Sequence, residues 1–481
     1  MVSAVGIAQQ IVLVRIFSIG QWYHFAYLII SIAMLGIAFA GVTAALLGKK
    51  LMNNSELAFR ILANGLGPGL WLTYEIAQRI PFEGIEIAAE FHQWFYAGLL
   101  YLLLAVPFFF VAGFVTLSFM EYNRITGKIY GVNLAGSGLG AVLITAGMYI
   151  FDPVVLIYLL VGCGLTGGLL YTLPHRRWSF LSFLIVALII GQMFWLGPTN
   201  IYISQYKPLS YALQEPGVEE ITKTSDPLTR VQVLKSPRFR ETHGQLSGYP
   251  FSNYGPLPEQ RGLFFDSSGP EPVHKFAGDT RPFRFLDYVP TAAGFKVADN
   301  DSLLILGAGG GTAILEGIYR DYSKITAVES SPSVGELLAE KLHEFSGGIK
   351  NRPEVNWVHS APRRYAGKEG RYSHVYRPLS EGYPGAGAGA ELLNENYELT
   401  VEALEQYLGN LNDRGVLSIP AWVNEPPRSL IRLVATAAEA AKRRGYEQPF
   451  EHLAVIRAWN VGVVVFSARP LSEKRMENLV K

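Results

Sequence analysis

The first 197 residues contain a series of apolar stretches that are each long enough to cross a lipid bilayer. A membrane-spanning helix needs about 20 mostly apolar residues, because its backbone polar groups must be satisfied within the helix. Residues 61–80 form the weakest stretch, since Pro68 and three neighbouring glycines interrupt it and Glu75 lies near its end. The seven stretches are 2–19, 23–47, 61–80, 94–119, 130–151, 153–173 and 178–196. We therefore predict an α-helical membrane bundle of about seven spans.

The loops between these stretches alternate in charge along the chain. Basic residues follow the second, fourth and sixth stretches and acidic residues follow the third and fifth: Lys49, Lys50 and Arg60, then Glu83, Glu86 and Glu90, then Arg124 and Lys128, then Asp152, then Arg176 and Arg177. With seven spans, every basic loop lies on one side of the membrane, and the positive-inside rule makes that side cytoplasmic. We expect a bacterial-type inner or plasma membrane protein with a cytoplasmic amino terminus and with the residues after 197 on the far, periplasmic side. A re-entrant segment at 61–80 would instead return those residues to the cytoplasm.

An apolar run at residues 303–306 is followed by four glycines within residues 307–311, and the next apolar run ends at Glu329. A buried strand, a glycine turn that begins a helix, and an acid that ends the next strand are typical of a nucleoside-binding βαβ unit. The glycines let the backbone approach a ligand, and the carboxylate accepts hydrogen bonds from the ribose hydroxyls. The alternative is a glycine turn that serves packing alone.

Strand-like and helix-like patterns alternate from residue 301 to the end of the chain. Such alternation predicts a parallel sheet covered by helices on both faces, that is, a Rossmann-like α/β domain. The predicted strands are 302–306, 324–329, 355–359, 374–377, 415–419 and 454–456, and the predicted helices are 311–320, 333–345, 400–412 and 428–444. Short strand-like pieces between Gly-, Ser- and Pro-rich sequence indicate a small β-rich lead-in before this domain. The predicted divisions are therefore 1–197, 198–300 and 301–481.

Ligands of such sheets bind beyond the carboxyl ends of the strands. The candidate cofactor-binding residues are Gly307, Gly309, Gly310, Gly311, Glu329, Ser330 and Ser360. We predict no metal site, because the nine histidines show no close ligand spacing and Cys163 is the single cysteine. The net charge of +1 argues against nucleic-acid binding.

The order of these features resembles that of membrane-fused spermidine-synthase-like proteins, which join a multi-span bundle to an aminopropyltransferase-type domain of the S-adenosylmethionine methyltransferase fold. The matching residues are 13–18, 127–136, 229–233, 263–266, 307–311, Val328 with Glu329, and 394–397. The resemblance covers nearly the whole chain. It implies S-adenosylmethionine or a related adenosyl compound as a cofactor at the glycine loop and Glu329.

Several acids that the resemblance implies are missing from this chain. True spermidine synthases carry an Asp inside the glycine loop, another after the ribose-binding Glu, another beside the adenine, and a catalytic Asp that ends the fourth strand. Here those places hold glycines at 309–311, Ser330, Ser360 and Arg377, and only Glu381 remains nearby as a candidate catalytic carboxylate. Because the attacking amine must be deprotonated and both substrates are cations, we predict that aminopropyl transfer is lost.

Two functions follow from this combination of features. In the first, the protein has no aminopropyltransferase activity, needs no cofactor, and is a structural or partner-binding subunit of a membrane complex with other membrane or envelope proteins. In the second, it is a membrane-anchored transferase that uses S-adenosylmethionine or a related compound on an unknown acceptor. His274 and Asp287 are candidate acceptor-site residues or ordinary surface residues.

Overall fold

The computed structural model describes residues 1–22, 25, 27–173, 176–242, 246–368, 370–379, 396–423 and 426–480. The chain divides into two compact units. The first consists of Met1–Ser210 and Ser225–Arg230, and the second of Tyr211–Thr224 and Val231–Lys481. Among the described residues, the first unit is mainly helical, and the second contains both sheets apart from Ser225 and Arg230 at two strand ends.

The described part of the first unit contains seven long helices. They are α1 Val2–Gly20, α2 Leu28–Asn53, α3 Ser55–Ala77, α4 Phe91–Glu121, α5 Thr126–Gly147, α6 Pro153–Thr172 and α7 Arg176–Leu196. Five of the helical segments are long and apolar enough to cross a membrane, namely α1, α2, α4, α6 and the segment Asn123–Gly147 that contains α5. The predicted helical bundle of membrane type is confirmed, with an approximate number of spans.

Helix α3 covers the stretch that the sequence marked as interrupted. It runs through Pro68 without a break for 23 residues, or about 35 Å at about 1.5 Å per residue. A Cβ on Gly67 would lie 2.6 Å from the backbone nitrogen of Leu165 in α6, and a Cβ on Gly164 would lie 2.9 Å from the Cα of Gly67. The glycines therefore allow two helices to cross at close range, which is a common arrangement in membrane bundles.

Loops that the sequence places on one side of the membrane meet at one end of the first unit. The backbone nitrogen of Ser204 donates to the carbonyl of Gly20 at the end of α1, 2.8 Å away. Glu83, between α3 and α4, accepts a hydrogen bond from the Ser204 hydroxyl. Asp152, between α5 and α6, pairs with Arg230 at 3.1 Å. Successive helices therefore alternate in direction, and an odd number of helices separates the amino terminus from residue 197.

The second unit contains two sheets. The smaller has the order β1-β2-β3-β4, with β1 Glu219–Ser225, β2 Arg230–Lys235, β3 Gln260–Phe265 and β4 Ser268–His274. The larger has seven strands, β5 Ser302–Leu306, β6 Lys324–Glu329, β7 Val355–His359, β8 Tyr372–Tyr376, β9 Leu411–Trp422, β10 Leu453–Arg457 and β11 Val461–Ser467. Its order is β10-β11-β9-β8-β5-β6-β7, in which β11 is antiparallel to both β9 and β10. Numbered from β5, this is the 3-2-1-4-5-7-6 order of a methyltransferase-type Rossmann fold.

Helices cover both faces of the seven-stranded sheet. The helices that follow α7 in the chain are α8 Pro208–Gln214, α9 Phe251–Tyr254, α10 Ala292–Val297, α11 Thr312–Tyr319, α12 Pro332–Ala339, α13 Pro362–Ala366, α14 Val401–Gly409, α15 Arg428–Arg443 and α16 Glu473–Val480. Alternate side chains of β5 point to opposite faces. Leu303 and Ile305 pack in one apolar cluster with α11 and α12, whereas Leu304 and Leu306 pack in another with α14 and α15. This covered sheet confirms the predicted α/β fold.

Strand β5 pairs with β6 on one side and with β8 on the other. The chain therefore leaves β5 and β8 in opposite directions, which opens a crevice at their carboxyl ends. The glycine loop follows β5, Glu329 ends β6 and Arg377 follows β8, so the topology brings these three places to one edge of the sheet.

Candidate functional site

The glycine loop connects β5 to α11 through backbone conformations that favour glycine. Gly307, Gly309 and Gly311 have φ angles of +103°, +48° and +87°. The backbone nitrogens of Gly307 and Ala308 both donate to the carbonyl of Val328, each at 3.0 Å, and so hold the loop against β6. Gly307 is partly exposed, and nothing lies within 4 Å of the place where its Cβ would be. Gly307 is therefore a position where the backbone is open to a ligand.

Glu329 lies beside this loop, as its position in the sequence predicts. One carboxylate oxygen accepts from the backbone nitrogen of Gly309 at 3.0 Å. The other accepts from the backbone nitrogen of Ser331 at 2.9 Å and from the Ser330 hydroxyl at 3.3 Å. Only 7% of Glu329 is exposed. The structure thus brings Gly309, Glu329 and Ser330 together, and their binding of a cofactor remains a prediction.

Ser360 also lies at this edge of the sheet. It follows β7, and its backbone nitrogen donates to the carbonyl of Glu329 at 3.0 Å. Its hydroxyl donates to the carbonyl of Ala361 at 3.3 Å, and its side chain is partly exposed. Ser360 is therefore next to Glu329 along the strand ends, where the sequence predicted it.

Glu271 is a carboxylate of the site that the sequence did not reveal. It belongs to β4 of the smaller sheet, and it accepts from the backbone nitrogen of Gly310 at 2.6 Å. Burial, opposed in part by this hydrogen bond and reinforced by the nearby Glu329, raises the pKa of the Glu271 carboxyl to about 8. No local pattern identifies this residue, because it lies in a Gly-Pro-Glu-Pro segment that is typical of a turn.

The glycines at 309, 310 and 311 are surrounded by the protein itself. A Cβ on Gly309 would overlap the carboxylate of Glu271, and a Cβ on Gly311 would overlap the side chain of Ile349. A Cβ on Gly310 would lie 2.6 Å from the carbonyl oxygen of Pro272. Intramolecular packing therefore accounts for these three glycines, as the packing alternative in the sequence analysis proposed, whereas Gly307 is not explained in this way.

Arg377 follows β8, where the resemblance expects a catalytic Asp. Its Nε lies 3.2 Å from an oxygen of Glu398, and its Nη1 donates to the carbonyl of Pro378 at 3.3 Å. Arg377 is buried, with 6% exposed. Glu398 therefore neutralises the positive charge that Arg377 brings to this edge of the sheet. Glu381, the candidate catalytic carboxylate, lies outside the described residues.

The two candidate acceptor residues of the lead-in have structural contacts. His274 is fully buried against the rings of Phe283 and Phe285, with centroid distances of 5.7 and 5.4 Å. Asp287 accepts from the Tyr319 hydroxyl at 2.6 Å and pairs with Arg320 at 3.1 Å. Tyr319 and Arg320 lie at the carboxyl end of α11, which is the end opposite to the glycine loop. These contacts do not support an acceptor-site role.

A buried Tyr–His–Ser chain crosses the core of the larger sheet. The Tyr322 hydroxyl lies 3.1 Å from Nδ1 of His374, and Nε2 of His374 lies 2.7 Å from the Ser418 hydroxyl. Burial lowers the pKa of His374 to about 3, so the imidazole is neutral. All three side chains are buried, so this hydrogen-bonded series of side chains cannot reach a substrate and instead stabilises the core. In the part of the chain that the structure describes, no three His, Cys, Asp or Glu side chains are placed to hold a metal ion.

The second unit has a Rossmann-like α/β fold with a seven-stranded mixed sheet. Neither a family model nor a curated protein sequence matches the chain. It is similar to a spermidine synthase in complex with the transition-state analogue AdoDATO (14% identity, 53% of this chain and 74% of that chain, TM-score 0.34). It is also similar to a probable spermidine synthase from Corynebacterium glutamicum (14% identity, 55% of this chain and 86% of that chain, TM-score 0.37). A third similar structure is human methyltransferase-like protein 13 in complex with SAH (18% identity, 40% of this chain and 90% of that chain, TM-score 0.29). Because all three TM-scores are below 0.5, the fold assignment rests on the strand order of the larger sheet and not on these similar structures.

Proposed function

We propose that the protein is an integral membrane subunit whose α/β unit has no aminopropyltransferase activity and acts as a structural or partner-binding module of a membrane complex. The observation that carries this proposal is the ion pair between the buried Arg377 and the partly exposed Glu398 at the end of β8. An arginine there cannot serve as a base, because its guanidinium stays protonated at all accessible pH values.

The hydrogen bonds of the neighbouring acids support the same proposal. Glu271 accepts from Gly310, Glu329 accepts from Gly309 and Ser331, and Glu398 pairs with Arg377. A general base must have a lone pair free to accept a proton from the attacking amine, within hydrogen-bond reach. Glu329 accepts three hydrogen bonds from the protein and Glu398 pairs with Arg377, which favours a structural use of these two acids.

The test is a transfer assay on the purified full-length protein in detergent or liposomes. The protein is incubated with decarboxylated S-adenosylmethionine and putrescine, and the aminopropylated amine is measured by mass spectrometry. An active spermidine synthase in the same buffer is the positive control. We expect no product above the protein-free background, and product that depends on the protein would refute the proposal.

The second candidate is a membrane-anchored transferase that uses S-adenosylmethionine or a related adenosyl compound on another acceptor. The open space at Gly307, next to Glu329, favours it, because a ligand can approach the backbone there. The test is a titration of the full-length protein with S-adenosylmethionine and its decarboxylated form. Binding that Glu329→Ala abolishes would support this candidate, and the absence of binding would leave the non-catalytic module, which needs no cofactor.

We further propose that the amino terminus is cytoplasmic and that the α/β unit follows on the far side of the membrane. The support is that the acidic loops with Glu83 and Asp152 lie at the same end of the bundle as Ser204, whereas the basic loops belong to the other end. A reporter fused after Lys481 tests this proposal. A cytoplasmic reporter would contradict it and would favour the transferase, because adenosyl cofactors are made in the cytoplasm.

The expected partners follow from the same features. The apolar helices are compatible with contact to the lipid bilayer, and other membrane or envelope proteins are the proposed partners of the α/β unit. Nucleic acid is not expected, because the net charge is only +1.

A further inference from the structure

The hairpin of β3 and β4 lies directly on the glycine loop. The hydroxyl of Thr312, the first residue of α11, donates to the carbonyl of Pro272 at 3.1 Å. The position of a Cβ on Gly310 lies 3.3 Å from the side chain of Val273. Between these contacts, the side chain of Glu271 reaches the loop and accepts from the backbone nitrogen of Gly310.

Backbone nitrogens of a glycine loop before a helix are suited to bind an anionic group of a ligand. In this protein two of these backbone nitrogens already donate to carboxyl oxygens of the chain itself. Gly309 donates to Glu329 at 3.0 Å, and Gly310 donates to Glu271 at 2.6 Å. The Glu271 carboxylate also fills the space beside Gly309 that a Cβ would need.

We infer that Glu271 is an internal occupant of the glycine loop, which excludes from this position ligands that carry a carboxylate. A ligand carboxylate would compete with Glu271 for the nitrogen of Gly310 and would also face the charge of Glu329. Adenosyl compounds with an amino-acid tail are therefore disfavoured, and adenosyl compounds without a carboxylate are tolerated. The inference concerns what the loop binds and holds whether or not the unit transfers a group.

The binding experiment compares two adenosyl thioethers on the full-length protein in detergent by calorimetry. S-adenosylhomocysteine carries a carboxylate, whereas 5′-methylthioadenosine does not. The variants are Glu271→Gln, which keeps the size of the side chain, and Glu271→Ala, which removes it. The control is Glu259→Gln, because Glu259 precedes β3, is itself exposed and pairs with Arg261 and Lys275.

We expect the unsubstituted protein to bind 5′-methylthioadenosine at least about tenfold more tightly than S-adenosylhomocysteine. Glu271→Ala should gain about tenfold in affinity for S-adenosylhomocysteine while its affinity for 5′-methylthioadenosine changes by less than about threefold. Glu271→Gln, whose amide oxygen can still accept from Gly310, and the Glu259 variant should behave as the unsubstituted protein. Unchanged or weaker binding of S-adenosylhomocysteine in Glu271→Ala would overturn the inference, because Glu271 would then be neutral to the ligand or would bind its ammonium group.

Hydrogen exchange of the ligand-free protein gives a second test that needs no ligand. The hydrogen bond to Glu271 should slow the exchange of the Gly310 amide in the unsubstituted protein, and Glu271→Ala should accelerate that exchange at least about tenfold. Fast exchange of this amide in the unsubstituted protein would show that Glu271 does not occupy the loop. Aminopropyl product in the transfer assay would refute the proposed function without changing either result.

Discussion

Replacing Gly310 by alanine should destabilise the second unit even when no ligand is present. The new Cβ would lie 2.6 Å from the carbonyl oxygen of Pro272 and 3.3 Å from Cγ2 of Val273. The nearer of these is a backbone atom of β4, so the strand itself must move, and rotation of a side chain cannot relieve the contact. Movement of β4 would also weaken the hydrogen bonds from Gly310 to Glu271 and from Thr312 to Pro272.

The size of the effect follows from these contacts. Overpacking costs about 1–3 kcal/mol, and each weakened hydrogen bond costs about 0.5–1.5 kcal/mol. The lower entropy of the unfolded alanine chain offsets about 0.4–1 kcal/mol, which leaves about 3 kcal/mol. At roughly 2–4 °C per kcal/mol for domains of about 150–250 residues, the Tm of the second unit should fall by about 6–12 °C.

Gly309→Ala is the matched comparison, because its new Cβ meets the end of a flexible side chain. The Glu271 carboxylate can move aside, so the main cost is the φ angle of +48°, at about 1–2 kcal/mol for alanine. The loss of stability should therefore be smaller for Gly309→Ala than for Gly310→Ala. It should be smaller again when Glu271 is also replaced by alanine.

Thermal proteolysis of the full-length protein, followed through peptides of residues 302–379, reports the unfolding of this unit. The reasoning is refuted if Gly310→Ala melts within about 2 °C of the unsubstituted protein, well below the shift expected for about 3 kcal/mol. It is also refuted if Gly309→Ala is the more damaging change.

Three further predictions concern other parts of the molecule. The pKa of Glu271 in the folded protein, about 8, lies above its ordinary value of 4.5, so the contribution of Glu271 to stability is complete below pH 4.5 and is lost as the pH rises through 8. Glu271→Gln should therefore make the fall in Tm between pH 6 and 9 less steep. An unchanged dependence of Tm on pH would contradict this prediction. Gly164→Leu should reduce the yield of monodisperse protein in size-exclusion chromatography, because α6 contacts Gly67 there, whereas Gly138→Leu in α5 should be tolerated, because nothing lies within 4 Å of that position. Glu75→Ala should lower the Tm of the bundle at a cost of about 1–3 kcal/mol, since it removes the acceptor of the Tyr158 and Thr199 hydroxyls, each at 2.6 Å, and the partner of Arg79. Tyr158→Phe, which leaves Glu75 its contacts with Thr199 and Arg79, should cost less.

The sequence predicted those elements whose signal is local. Strands β5, β6 and β7 were predicted with the bounds that the structure has, because each is a short apolar run between turn residues. The start of α6 was also predicted correctly, since Asp152 accepts from the backbone nitrogen of Val154 as an N-cap and Pro153 occupies the first turn. The second apolar stretch was placed too early, because hydropathy alone does not show that α2 begins at Leu28.

Residues that depend on distant contacts could not be predicted from the sequence. Glu271 reaches Gly310 across 39 positions of the chain, and this contact exists only because β4 lies on the glycine loop. Glu398 reaches Arg377 across 21 positions, so its role does not follow from the polar residues that precede it. In both cases the sequence identified one member of the pair and gave no sign of the other.

Glu398 changes the reason for expecting no transfer. At the places where true spermidine synthases carry acids, this chain has glycine, serine and arginine. Glu398 neutralises Arg377, so the charge at this edge of the sheet does not by itself oppose a cationic ligand. The stronger argument is that the place after β8 holds Arg377, whose guanidinium cannot accept a proton, and that the nearby Glu398 is paired with it. Binding of a cationic adenosyl compound is therefore compatible with an absence of transfer, and only the measurement of product distinguishes an enzyme from a binding module.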